Sequence, residues 1–142
     1  MLSVNLDGTV TGVRCFAELC IAQGRKGGSV VVVSFIAALV GLPSVSSNDA
    51  SSKAALLGFV GTAMHDLGAH DLRQKVVAPD RLDIEMVRES GDGIIATIAA
   101  QTELRRFGAP DELGEAVEFL LAPRTLFITG TCLNVTSGWS EA

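Results

Sequence analysis

The chain has 142 residues, 48% of them hydrophobic and 19% charged, a net charge of −5 and no tyrosine. That length suits one domain, residues 1–142, with a core of its own, and the acidic balance excludes a general nucleic-acid surface. No apolar run reaches the ~20 residues of a membrane helix, and the first residues lack the basic start and apolar centre of a signal peptide, so a cytoplasmic protein with no membrane partner is expected.

Asn5 to Ala22 reads as an amphipathic helix, because Leu6, Val10, Val13, Phe16, Ala17 and Cys20 recur on one helical face. Asp7 in its first turn complements the helix dipole. Gly24 and the pair Gly27-Gly28 end it. Val30 to Val33 are four consecutive β-branched residues, a pattern that fits a strand covered on both faces. The chain then loosens into a loop around Pro43, with Ser44, Ser46, Ser47, Asn48 and Asp49 as turn and cap formers. A helix follows from about Ser47 to Leu67 and stops at Gly68; its small residues Ala54, Ala55, Gly58 and Gly61 suit close helix contact.

Leu72 to Ala78 reads as a second strand ending at Pro79, and Asp80 to Gly93 as a charged loop with an irregular helical piece, broken at Gly91-Asp92-Gly93. Ile94, Ile95 and Ile98 suggest a further helical turn. Gly108-Ala109-Pro110-Asp111-Glu112 is a helix start, with proline in the first turn and acids on the dipole. Leu113, Val117, Leu120 and Leu121 line that helix, and Pro123 closes it. Phe127 and Ile128, then Cys132, Leu133 and Val135, read as a last strand interrupted at Gly130; Ser137-Gly138-Trp139 belong to the tail, where Trp139 reads as a packing or subunit contact.

The order α-β-α-β-α-β without hairpins predicts right-handed crossovers and a parallel sheet between helices. An open sheet of this kind leaves a strand edge uncovered, which predicts an oligomer or a partner over Val30–Val33. Cys15, Cys20 and Cys132 form no CxxC pair and read as reduced, buried thiols. His65 and His70 have no cysteine or carboxylate at ligand spacing, so no metal site is expected. Gly24-Arg25-Lys26-Gly27-Gly28 precedes a strand rather than a helix and is not a phosphate cradle. Asp49 and Lys53 stand four apart on one helix, as an ordinary ion pair or as two members of a site.

Several patterns together resemble the short-chain dehydrogenase/reductase family, specifically its C-terminal half. Val4-Asn5-Leu6-Asp7-Gly8 is similar to the start of the family's central interface helix, and Gly27-Gly28-Ser29 with the valines and Ser34 to its active-site strand. Ser51-Ser52-Lys53-Ala54-Ala55-Leu56 resembles the helix that carries its active-site lysine. Leu72-Arg73 to Val76-Val77-Ala78-Pro79, then Arg106 to Leu113, then Phe127-Ile128-Thr129-Gly130 through Val135 resemble its later elements in order.

The resemblance implies an α/β, Rossmann-like (partial) three-layer fold with a parallel sheet, lacking the first βαβ units and the dinucleotide fingerprint. It implies an oxidoreductase that moves a hydride between NAD or NADP and an alcohol or carbonyl, with a small-molecule substrate. The family's site uses asparagine, serine, tyrosine and lysine, with tyrosine as the acid/base. Asn5 falls on the asparagine and Lys53 on the lysine, which also holds the cofactor ribose. The tyrosine position, four before Lys53, is Asp49, or Asn48 with one inserted residue. An aspartate is a poor proton donor at neutral pH unless its environment changes it. The serine falls on Phe35, with Ser34 beside it on the opposite strand face.

The implied catalytic set is therefore Asn5, Ser34, Asp49 and Lys53, and the implied cofactor contacts are Lys53, Pro79 and Leu82. Other family positions carry Lys75 for asparagine, Asp80 for glycine, Ile84 for threonine, and Thr136-Ser137-Gly138 at the end. Two functions stay open: an oxidoreductase with impaired chemistry, and an inactive scaffold acting by association. In the family, helices matching 5–22 and 47–67 pack across a two-fold axis, so a homo-oligomer through them is expected.

Overall fold

A computed structural model describes residues 1–42, 45–89 and 92–138. The expectations for Pro43, Ser44, Gly91 and Trp139 lie outside these residues. The chain opens with a π-helical turn, Ser3–Asp7, that runs straight into α1, Gly8–Ala22. β1 (Gly28–Val33) leads through a short 3-10 turn (Ile36–Ala38) to α2 (Ser47–Gly68) and β2 (Leu72–Pro79). Two short helices follow, α3 (Glu85–Arg88) and α4 (Asp92–Ala99), then α5 (Pro110–Leu121), a 3-10 turn (Pro123–Thr125) and β3 (Cys132–Val135).

The three strands are parallel in the order β1-β2-β3, with Val32 beside Val76 and Val77 beside Leu133. The strand period of two then decides which helix each residue meets. Val30, Val32, Leu72 and Val76 face α1 and α2, where they pack with Val13, Ala17, Cys20, Leu56, Val60 and Leu67. Ser29, Arg73 and Lys75 face the other way, toward the end of α5. The result is the expected three layers: α1 with α2, the sheet, and α5. Leu56 and Val60 are each 1% exposed. Burial of that kind stabilises by roughly 1.5–3 kcal/mol per side chain.

The last strand is shorter than its sequence suggests. Phe127 and Ile128 are not in it, and Phe127 is fully exposed. The reason is local: Gly130 N–H donates to Gln74 O at 2.7 Å and Thr129 Oγ1 accepts from Gln74 N–H at 3.1 Å, which pins a turn there. Gly130 holds φ +67°, and a Cβ at this position would run into the Met64 thioether, so glycine is required twice over. Along α1 the expected apolar face is narrower than its sequence period. Val13, Ala17 and Cys20 are buried, whereas Cys15, expected to be buried, lies off that face and is exposed, and Phe16 stays exposed too. Its ring lies against Gly28, at the start of β1.

At the start of α5, Glu112 accepts the Ala109 N–H at 2.8 Å and takes both Arg106 nitrogens, at 2.7 and 2.6 Å. This arrangement holds the Glu112 carboxyl at about 2, with the Arg106 hydrogen bonds as the main cause. At the other end of α5, the Leu120 carbonyl accepts from Lys75 Nζ at 2.6 Å and from Thr125 Oγ1 at 3.1 Å. Lys75 has no exposed surface.

Candidate active site

The carboxyl ends of parallel strands are where ligands of such sheets bind. At that end β1 passes into Ser34, β2 into Asp80, and the first turns of α2 stand beside the π-helical turn. The π turn is visible in its bonding: Gly8 N–H reaches Ser3 O, five residues back. Such turns occur often at functional sites. Here it carries Asn5, whose carbonyl also accepts from the Thr9 hydroxyl at 2.8 Å.

Asn5 Nδ2 donates to Asp49 Oδ1 at 3.1 Å and to Ser52 Oγ at 2.9 Å. The Ser52 hydroxyl donates in turn to Asp49 O at 2.8 Å. The structure therefore brings Asn5 and Asp49 together across more than forty residues of chain and adds Ser52, a residue that sequence reasoning did not single out. Its signal was available in the spacing: Ser52 is three residues after Asp49, on the same helical face.

Asp49 and Lys53 do not pair with each other. Asp49 takes Asn5, while Lys53 Nζ donates to Val33 O at 3.2 Å. The ordinary i,i+4 ion pair expected from their spacing is thus replaced by two separate contacts. Ser34 is 3% exposed and faces α2, where its hydroxyl donates to Lys53 O at 2.9 Å. Its placement follows strand alternation, and it anchors the α2 backbone instead of lining an open cleft.

Lys53 stands at the end of β1 and Pro79, buried, at the end of β2. Leu82 forms an isolated backbone bridge with Gly108 and lines a cavity of about 120 Å³ with Asp80, Leu104, Arg106 and Ser137. Lys53 is not among the residues lining that cavity. Asp80 is buried there, and burial raises its carboxyl above the usual range. Among the described residues no glycine-rich turn leads from a strand into a helix to cradle a pyrophosphate.

A family model described as Enoyl-(Acyl carrier protein) reductase matches residues 1–140. The chain belongs to the short-chain dehydrogenase/reductase family. Among its relatives, human (3R)-3-hydroxyacyl-CoA dehydrogenase is 30% identical over 138 residues, which are 97% of this chain and 52% of that protein. Acetoacetyl-CoA reductase of Synechocystis sp. is 32% identical over 136 residues, 95% of this chain and 55% of that one. The crystal structure of a 3-oxoacyl-[acyl-carrier protein] reductase with bound NAD from Brucella melitensis superimposes with a TM-score of 0.88 at 26% identity, covering 99% of this chain and 51% of that chain. The chain spans about half the length of the curated relatives it matches. The chain has no tyrosine at any position. Among the described residues, no helix is long and apolar enough to cross a membrane.

Proposed function

We propose that this chain carries the acid–base half of a nicotinamide-dependent oxidoreductase for an alcohol or carbonyl, and that its turnover is reduced because Asp49 stands where the family's tyrosine works. The observation that supports this reading most is the meeting of Asn5 and Asp49 beside Lys53 at the carboxyl end of the sheet. In this reading Lys53 offers its ammonium to the cofactor ribose, and the Asp49 carboxylate accepts hydrogen bonds beside the reacting oxygen. A hydride would come from NADH or NADPH, whose phosphates need contacts from residues other than those described. The names of two relatives print acyl-CoA substrates, so acetoacetyl-CoA is the first carbonyl to try.

The test is NADPH oxidation in the presence of acetoacetyl-CoA by the chain and by Asp49→Tyr. A general acid contributes ~10²–10⁴-fold to a rate. The variant is expected to exceed the parent by about a hundredfold, on the same principle. Equal rates for the two proteins would contradict the assignment of Asp49 to the acid/base position.

A second reading, action by association, draws on the surface. Phe16, Leu19 and Ile21 of α1 are exposed, and Val33 on β1 is 45% exposed. Among the described residues nothing pairs with the outer edge of β1. A homo-oligomer through helices 5–22 and 47–67 would cover the first of these surfaces.

A further inference from the structure

Ser52 has no exposed surface, yet its hydroxyl bonds two members of the candidate site. The hydrogen assignments follow from chemistry alone. The Asp49 carbonyl can only accept, so the single Ser52 hydroxyl hydrogen goes to it. With that hydrogen placed, the Ser52 oxygen offers only lone pairs to Asn5, so the Asn5 atom facing it is the NH₂ group. That same nitrogen gives its second hydrogen to Asp49 Oδ1. Turning the Asn5 amide over would set its oxygen against the Asp49 carboxylate, which can only accept. Asp49 sets which way the amide faces, and Ser52, accepting its other hydrogen, holds the amide against the carboxylate.

The consequence lies one turn further along α2. Asp49 and Lys53 have the spacing and polarity of a favourable i,i+4 pair, acid first and base second. They do not form it: the carboxylate is held by Asn5, and the ammonium rests on the Val33 carbonyl at 3.2 Å. We propose that Ser52 is a positioning residue that, by locking the Asn5 amide onto Asp49, keeps that carboxylate off Lys53 and leaves the lysine ammonium at the end of β1. This deepens the oxidoreductase reading, on which it rests for its significance, because a lysine neutralised by its helical neighbour would not be available to a ligand at the sheet edge.

The experiment is zero-length carbodiimide coupling on the intact chain, followed by peptide mass spectrometry of the Asp49–Lys53 link. The reagent activates the carboxylate, the lysine amine displaces it, an amide forms and the carboxyl oxygen leaves on the urea. Coupling therefore reports how often the two groups meet. Ser52→Ala and Asn5→Ala are each expected to raise the Asp49–Lys53 yield by about fivefold, the change that one net hydrogen bond makes in a local equilibrium. Thr102→Ala, which removes a buried hydroxyl bonded to Ala99 O, is a control for mere loss of stability and should leave the yield unchanged. Either variant remaining at the parent yield would overturn the proposal, as would an equal rise in the control. Should Ser52→Ala fail to fold, Asn5→Ala decides alone, since the lock acts through Asn5. The readout needs no cofactor and no turnover. A null result here is therefore separate from failure of the Asp49→Tyr assay, which would sink the oxidoreductase reading and leave the lock standing.

Discussion

Two adjacent residues of β2 show how a single strand position acquires its energetic sign. Gln74 faces α2 with no exposed surface, and neither its Oε1 nor its Nε2 has a partner among the described residues. An unsatisfied buried amide costs roughly 1–3 kcal/mol. Gln74→Met keeps the shape and removes both polar atoms, so it should stabilise the fold by about 1–2 kcal/mol in urea unfolding. A loss of stability in that variant would mean the amide is satisfied by water.

Lys75, facing the opposite layer, is buried as well but has acceptors: Leu120 O at 2.6 Å and Ser29 Oγ at 2.8 Å. Burial, and secondarily the nearby Arg73 charge, lower its amine from 10.5 to about 8. Between those two values the unfolded chain binds more protons than the folded one, so stability rises with pH across the window. Below about 8 the cost of holding the ammonium is fully present; above 10.5 it is gone. Lys75→Met should flatten this rise when unfolding is measured from pH 7 to 11, within the usual lysine range. A slope unchanged from the parent would contradict the assignment to Lys75.

At the scale of elements, most of the architecture was legible because it rests on local patterns. Four consecutive valines mark β1, the Pro110-Asp111-Glu112 start marks α5, and alternating helices and strands dictate a parallel sheet. The misreading of Phe127 and Ile128 as strand has a definite cause. Two apolar residues before Gly130 look like a strand, but hydrogen bonds from Gln74, more than fifty residues away, hold that segment as a turn. The same limit applies to the site. The spacing of Asp49 and Lys53 predicts that they pair, and it contains nothing of Asn5, which approaches from another element and takes the carboxylate. Leu82, a cofactor contact by resemblance, is bridged through its backbone to Gly108, a pairing its own sequence does not announce. Local pattern thus sets element type, and the orientation of a polar side chain is set by whichever distant donor reaches it first.

For the whole molecule, three parallel strands form a sheet with an unpaired outer edge on β1 among the described residues, and α1 presents exposed Phe16, Leu19 and Ile21. An open edge beside an apolar face favours association. Sedimentation equilibrium of the purified chain should give a concentration-dependent dimer. A strict monomer at high protein concentration would count against the association reading.

The central claim concerns the carboxyl end of the sheet, where Lys53 stands at the end of β1 with its neighbour Asp49 turned toward Asn5. The most direct measurement is a titration of NADPH and of NADH into the purified chain, followed by nicotinamide fluorescence, with Lys53→Ala alongside. Weak, saturable binding that Lys53→Ala diminishes is the expected result. Flat traces with both cofactors up to millimolar concentration would contradict the oxidoreductase account and leave association as the reading to pursue.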